Sequence, residues 1–277
     1  MKIIVDSACD LNEEVTSRSA VGIECVPMSF QLSDTLYIDD VPGCVDKILD
    51  AMESGGDVPR SAAPSPDMYA EKYGGDDSVF VVTVSSGLSG SNGSAVLARQ
   101  MYLDDIGQKF IHVFDSLSAS VGETLIALKI SEFYKNKLGN LEIVENVNKF
   151  IKSLKTYVLL DKFDSLVKTG RVSPYVAKIA SLLSIKPILG GVDGKLTLLD
   201  KARGYNKAVA KLIDMIKAEK ADFENRILGI SHAKCLEKAK KLRDTICAQI
   251  PFKDSIILDM SGLITAYANR GGMVIAY

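Results

Sequence analysis

The chain has 277 residues, of which 47% are hydrophobic and 25% charged, an ordinary balance for a soluble folded protein and a length that favours two domains over one core. No run of about 18 apolar residues is available to cross a bilayer, and residues 1–7 read as a strand and its loop rather than as a leader, so the expected compartment is the cytoplasm. The five cysteines (Cys9, Cys25, Cys44, Cys235, Cys247) are odd in number, far apart and without a C-x-x-C pair, which argues against a disulfide framework or a zinc site.

The formal net charge of −2 hides an asymmetry: residues 1–155 carry 23 acidic and 13 basic groups, residues 156–277 carry 12 and 20. Halves of −10 and +8 suit docking of one on the other, or an acidic partner on the second, and they equally suit two differently solvated surfaces. Nucleic acid is disfavoured, because no binding motif or interleaved aromatic patch accompanies the cations. The expected organisation is an α/β fold of two domains, an N-terminal parallel-sheet domain over 1–155 and a C-terminal α+β domain over 156–277.

In chain order, residues 2–5 read as a strand that runs into Asp6 and Ser7 at a loop edge. These two residues either support a ligand or cap the following helix, for which Asp10 or Asn12 also fits. Residues 23–30 read as one strand, residues 36–38 pair behind a turn, and Pro42 opens a helix that ends at Gly55-Gly56. The stretch DVPRSAAPSP, residues 57–66, is an extended loop able to lay Ser61 across a site, with Ser65 as the cap of the helix at Pro66.

Residues 79–91, VFVVTVSSGLSGS, are a buried strand that stops in serines and glycines before a helix over about 95–103. Unpaired amides and the positive dipole end of that helix, with Ser86, Ser89, Gly90 and Ser91, form a cradle for a carboxylate or phosphate. The pattern recurs: a strand over 111–114 ends at Asp115-Ser116 and an amphipathic helix follows over 120–135. The tips Asp6-Ser7, Ser85-Ser86 and Asp115-Ser116 line one crevice if their strands are neighbours in a parallel sheet. Further on come a helix over 141–153, a strand over 157–160, a short helix closed by Gly170-Arg171, a helix from Ser173-Pro174 with Val176, Ile179, Ala180 and Leu183 inward, and a strand over 185–189. Asp193-Gly194 makes a hairpin turn to a strand over 196–203; helices over 206–219 and 234–248 and strands near 227–231, 255–259 and 272–276 complete the chain.

The familiar enzyme signatures are missing. There is no G-x-G-x-x-G after the first strand and no P-loop, and GLSGS ends in Ser91 where a nucleophile elbow needs glycine. Only His112 and His232 could serve a serine nucleophile as base, and both fall in strands; without H-x-x-x-H spacing a metal site is not expected. The pairs Asp39-Asp40, Asp76-Asp77 and Asp104-Asp105 read as solvated turns. What remains is hydroxyls and amides for an anionic head, with apolar side chains to surround a tail, and that describes a binder whose buried alkyl chain gains about 0.8 kcal/mol per methylene.

Six segments carry a resemblance over essentially the whole chain: IIVDSACDL, VPRSAAPS, VSSGLSGS, VFDSLSASVG, FDSLVKTGRVSP and DGKLTLLDKARGYNKA. In this order they are similar to the DegV family, the fatty-acid-binding subunits of bacterial fatty-acid kinases. The resemblance implies a fatty acid, palmitate-like, buried between the two domains as ligand rather than a cofactor, its carboxylate held by Ser61, where Thr is usual, and by Ser89. It also implies a separate ATP-dependent kinase as partner, met through Arg171 and, on the same basic half, Arg203. The family's His-Thr-Gly-Pro-Gly stretch matches Tyr267-Ala268-Asn269-Arg270-Gly271 here. Tyr267 cannot supply an imidazolium, and Arg270 is the residue that could restore the charge. The leading expectation is therefore a non-enzymatic fatty-acid carrier; the alternatives are a serine acyl hydrolase using Ser89, a lipid binder that no longer pairs with a kinase, and an interaction module acting through the basic half.

Overall fold

The structure is a computed structural model that describes residues 1–39, 45–55, 58–180, 182 and 184–277. In chain order its elements begin β1 (Lys2–Asp6), α1 (Glu13–Arg18), β2 (Ile23–Val26), β3 (Ser29–Leu32), β4 (Thr35–Ile38), α2 (Val45–Gly55), β5 (Arg60–Ala62) and α3 (Pro66–Lys72). They continue β6 (Val79–Thr83), α4 (Ser91–Asp105), β7 (Ile111–Asp115), α5 (Val121–Lys135), α6 (Asn140–Ser153), β8 (Thr156–Leu159), α7 (Asp164–Lys168) and α8 (Pro174–Ala180). The chain finishes with β9 (Ile185–Val192), β10 (Lys195–Arg203), α9 (Tyr205–Ala218), β11 (Ile227–His232), α10 (Leu236–Cys247), β12 (Asp254–Asp259), α11 (Gly262–Ala268) and β13 (Met273–Ala276).

A four-stranded parallel sheet has the order β2-β1-β6-β7 and a six-stranded mixed sheet the order β10-β9-β8-β13-β11-β12. The protein is thus α/β, with a parallel-sheet N-terminal region and a C-terminal sheet-plus-helix region. The parallel strands read as unbroken apolar runs because helices cover both faces; all of Val79–Thr83 is buried. A small antiparallel sheet, β4-β3-β5, stands beside them.

Helix α5 joins the two large sheets. Val121, Leu125 and Leu128 pack with Val158, Val274 and Ala276 of the six-stranded sheet. Ile126, Ala127 and Ile130 pack instead with Ile3, Val5 and Phe80 of the parallel sheet. The expected amphipathic helix is therefore apolar on two opposite faces, since it is wedged between layers rather than laid on one.

Several expectations need correction. The single strand over 23–30 is two strands in different sheets, because Pro27 has no N–H to donate and the chain turns there. Asp39 is buried and accepts from the Leu263 amide at 3.1 Å, so it is not solvated, and Asp104-Asp105 are exposed as expected but form the last turn of α4 rather than a loop. Helix α11 was not foreseen; Ser261 caps it by accepting from the Ile264 amide. Asn12, not Asp10, caps α1, and Ser65 caps α3 as expected. Pro42, Cys44, Asp40, Gly56 and Leu183 lie outside the described residues; the other four cysteines are free thiols.

Candidate functional site

The tips of β1, β6 and β7 are neighbours, and their side chains stitch the loops together. Asp6 is fully buried and accepts from the Ala8 amide at 3.1 Å, the Val84 amide at 3.0 Å and Ser91 Oγ at 2.5 Å. Ser91 opens α4 and also bonds Tyr69 Oη at 2.6 Å. A carboxyl group therefore does sit at the start of α4, and it is one the protein supplies. Burial raises the Asp6 carboxyl above its ordinary range, with the three hydrogen bonds opposing that shift. Ser7 Oγ accepts from the Met28 amide at 3.0 Å. Asp115 holds Ser86 through its amide at 3.1 Å and its hydroxyl at 2.5 Å, and Ser116 bonds the Ser118 backbone.

These loops roof a cavity of about 870 Å³, mouth included, whose other wall comes from the six-stranded sheet and from α11. Apolar side chains dominate it, among them Val84, Leu117, Val158, Leu160, Leu166 and Leu263. One end is polar. Ser61 Oγ, on β5 opposite Phe30, lies 2.8 Å from Tyr267 Oη on α11. The Arg171 guanidinium stands over the Tyr267 ring at 5.6 Å, donating from Nε to the Leu88 carbonyl at 3.3 Å and from Nη1 to that of Thr169 at 2.7 Å. Ser89 follows Leu88 and accepts from the Ser91 amide at 3.3 Å, which leaves its own hydrogen available. Ser61, Ser89, Arg171 and Tyr267 thus meet through a chain of contacts although they come from four separate segments, and all four line the cavity.

The remaining sequence-predicted residues lie elsewhere. Asp6, Ser7, Ser91 and Ser116 are buried behind the lining, while Ser86 and Gly90 are exposed on the serine loop. Arg203 is exposed at the end of β10. The Arg270 guanidinium pairs with Glu53 at 2.9 Å and Asp50 at 3.7 Å of α2, away from the cavity. Sequence reasoning missed the lining residues Ser118, Ser120 and Thr156 and the α11 contribution of Leu263 and Ile264. Ser118 and Ser120 fall inside VFDSLSASVG, so the signal was the motif itself; Thr156 had none.

The serine loop is clasped to the far wall at the β9–β10 turn. Ser85 Oγ donates to the Gly194 carbonyl at 2.6 Å, and a Cβ on Gly87 would fall 2.6 Å from that same oxygen. Asp193 and Gly194 have φ of 49° and 75°, the two-residue hairpin the sequence pattern indicates.

Behind the lining, Glu123 in the first turn of α5 is buried with no partner for either carboxylate oxygen. Burial first, then the nearby Asp6 and Asp10 charges, push its carboxyl well above the usual range. Asp10 is bonded by Ser120 Oγ and, at 2.8 Å, by the Ser261 amide; burial still pushes it up to about 6. Among the described residues lining the cavity there is no histidine or carboxylate to act as a base for Ser89. His112 packs its ring on Phe114, and His232 accepts from the Cys235 amide near Asp259. Nor do the described residues contain a group of three or more His, Cys, Asp and Glu able to hold a metal.

A largely apolar chamber with hydroxyls and a guanidinium in its lining thus lies between a parallel and a mixed sheet. The chain belongs to the DegV family, described as uncharacterised proteins, whose family model matches residues 1–277. It is 34% identical over 279 residues to a DegV domain-containing protein of Streptococcus pneumoniae, covering 100% of this chain and 98% of that one. Two solved structures are similar throughout. A DegV family protein of Ruminococcus gnavus, refined with vaccenic acid, has 37% identity, a TM-score of 0.93 and coverage of 100% and 99%. The Streptococcus pneumoniae fatty acid kinase (Fak) B3 protein, loaded with linoleic acid, has 33% identity, a TM-score of 0.90 and coverage of 100% and 98%. Among the described residues no helix is long and apolar enough to cross a membrane.

Proposed function

We propose that the cavity holds a long-chain fatty acid and that the protein presents its carboxylate to a separate ATP-dependent fatty-acid kinase. The observation that supports this most is the lining itself: apolar over most of its walls, with two serine hydroxyls, a tyrosine hydroxyl and a guanidinium converging where Ser61, Ser89, Tyr267 and Arg171 meet. Burying a carboxylate is unfavourable unless donors replace its water, and these groups are such donors; the methylenes of the tail supply the compensating gain. In this reading Ser61 and Ser89 hold the head group and Tyr267 adds a third hydroxyl. Asp6, Ser7, Ser86, Gly90, Ser91 and Ser116 keep the strand-tip loops in shape, and residues 1–155 and 156–277 act as the two sides of the chamber. The fatty acids in the two solved relatives support the ligand class, and the Fak B3 relative supports the kinase partner.

Arg171 and Arg203 then face the kinase, whereas Arg270 is engaged by Asp50 and Glu53. Tyr267 stands where the family pattern has histidine, so its hydroxyl serves the head group and phosphoryl transfer relies on the kinase's own groups. Mass spectrometry of an organic extract of the purified protein tests the binding half, with a stoichiometric long-chain fatty acid expected. Finding none, together with no uptake of added palmitate, removes this reading. The kinase half is tested by ATP turnover of a purified bacterial fatty-acid kinase with the loaded protein; absence of turnover leaves a lipid carrier without that partner.

A further inference from the structure

The chamber contains a second polar feature, which the head-group reading does not use. Ser118 Oγ and Thr156 Oγ1 are buried and hydrogen-bonded to each other at 2.7 Å, and both line the cavity among Leu117, Val158 and Leu196. Two hydroxyls bring two hydrogens, and one hydrogen bond uses one of them. The other hydroxyl hydrogen has no acceptor among the described residues, where neither side chain makes any further hydrogen bond. An O–H left without a partner in an apolar space is unfavourable, and such groups are uncommon unless something else satisfies them.

The fold makes room for this pair. A Cβ on Gly122 would fall 2.1 Å from Ser118 Oγ and 3.2 Å from Thr156 Oγ1, so a larger residue at this point of α5 would displace the pair. Ser118 is further held by its own backbone, whose carbonyl accepts from the Ser85 amide at 2.8 Å and from Ser116 Oγ at 3.0 Å. The hydroxyl is thus positioned by both the loop and the helix rather than left to rotate into the wall.

Resting on the fatty-acid reading above, we infer that Ser118 and Thr156 select an acyl chain with a hydrogen-bond acceptor along its length, a hydroxylated fatty acid, over the plain saturated chain. The spare hydroxyl hydrogen donates to the oxygen of the chain, and the Ser118 and Thr156 lone pairs can accept from the ligand hydroxyl in return.

The test is a competition assay with delipidated protein, stearic acid and a series of positional isomers of hydroxystearic acid. The wild type should prefer at least one isomer to stearic acid by about three- to tenfold, the scale of one neutral hydrogen bond. In Ser118→Ala/Thr156→Val that preference should vanish or reverse while stearic acid still binds, with thermal melts confirming that the variant is folded. Ser118→Ala/Thr156→Ala, which likewise removes both hydroxyls, gives the same comparison should the first double variant unfold. Equal binding of all isomers and stearic acid by the wild type overturns the inference, as does an unchanged preference in the variants. Loss of stearic acid binding in a folded variant also overturns it, because the pair would then hold the carboxylate. Failure of the wild type to bind any of these acids sinks the fatty-acid reading itself, and this inference with it.

Discussion

The two large sheets contribute opposite kinds of surface to one cavity. The parallel sheet ends three adjacent strands in Asp6-Ser7, Ser85-Ser86 and Asp115-Ser116, so its carboxyl edge is a row of hydroxyls and carboxylates whose bonds fix the loops. The six-stranded sheet offers its face rather than its edge, through Val158 and Val274, together with the hairpin that carries Leu196. A parallel edge concentrates loops and helix starts, and a sheet face presents side chains at a two-residue period. An amphiphile needs both surfaces, and here each comes from the architecture suited to make it.

The largest expected effect comes from separating the two. Gly229 on β11 lies against α5 so closely that a Cβ would fall 2.4 Å from Val121 Cγ2. Gly229→Val should therefore lower stability by about 3 kcal/mol in urea unfolding, the upper end for overpacking. A stability near that of the wild type would mean that α5 does not bind the sheets together tightly.

Next comes the edge alone. Ser89→Ala should weaken fatty-acid retention by about 1–3 kcal/mol, because the carboxylate loses a donor while remaining buried. Unchanged retention would place the head group against the sheet face instead and reverse the assignment of the two surfaces.

A smaller effect tests the buried acids behind the edge. Glu123 keeps its proton in the folded protein where the unfolded chain, with an ordinary value near 4.5, has lost it. The folded form then binds more protons, so this contribution is complete below the unfolded value and is lost as pH rises towards the raised one. Asp10 adds to the loss as pH climbs from its ordinary value of 3.8 through about 6. Glu123→Gln cannot ionise, so it should change stability little at pH 4 and stabilise relative to the wild type at pH 8. Parallel urea curves at both values would show that Glu123 is charged in the fold. The smallest effect is on the surface: Arg270→Ala, whose partners Glu53 and Asp50 are exposed, should leave both melting temperature and fatty-acid retention unchanged.

Much of the parallel edge was legible in the sequence because apolar runs stopped by serine and glycine say both where a strand ends and what its tip displays. That logic made Ser89 a candidate, the proline-flanked stretch with the family resemblance made Ser61 one, and both line the cavity. The sheet face was less legible. Helix α11 has the sequence GLITAYA, apolar nearly all round and only seven residues long, so no 3.6-residue period separates it from a strand. Thr156 faces Ser118 across 38 residues of chain, and the burial of Asp39 depends on an amide 224 residues away. Local pattern carries no trace of such partners. Arg270 illustrates the converse: a motif position suggested a role in the site, but the acidic face of α2 engages its charge.

The clasp at Gly194 has a practical consequence for anyone labelling this protein. A two-residue hairpin tip is ordinarily the safest place for an inserted tag or a dye-bearing cysteine. Here the Gly194 carbonyl is gripped by Ser85 and lies against Gly87, two residues before Ser89. A label placed on this turn would report on the serine loop and disturb it at the same time, so a probe meant to be silent belongs on the exposed outer face of α6 instead.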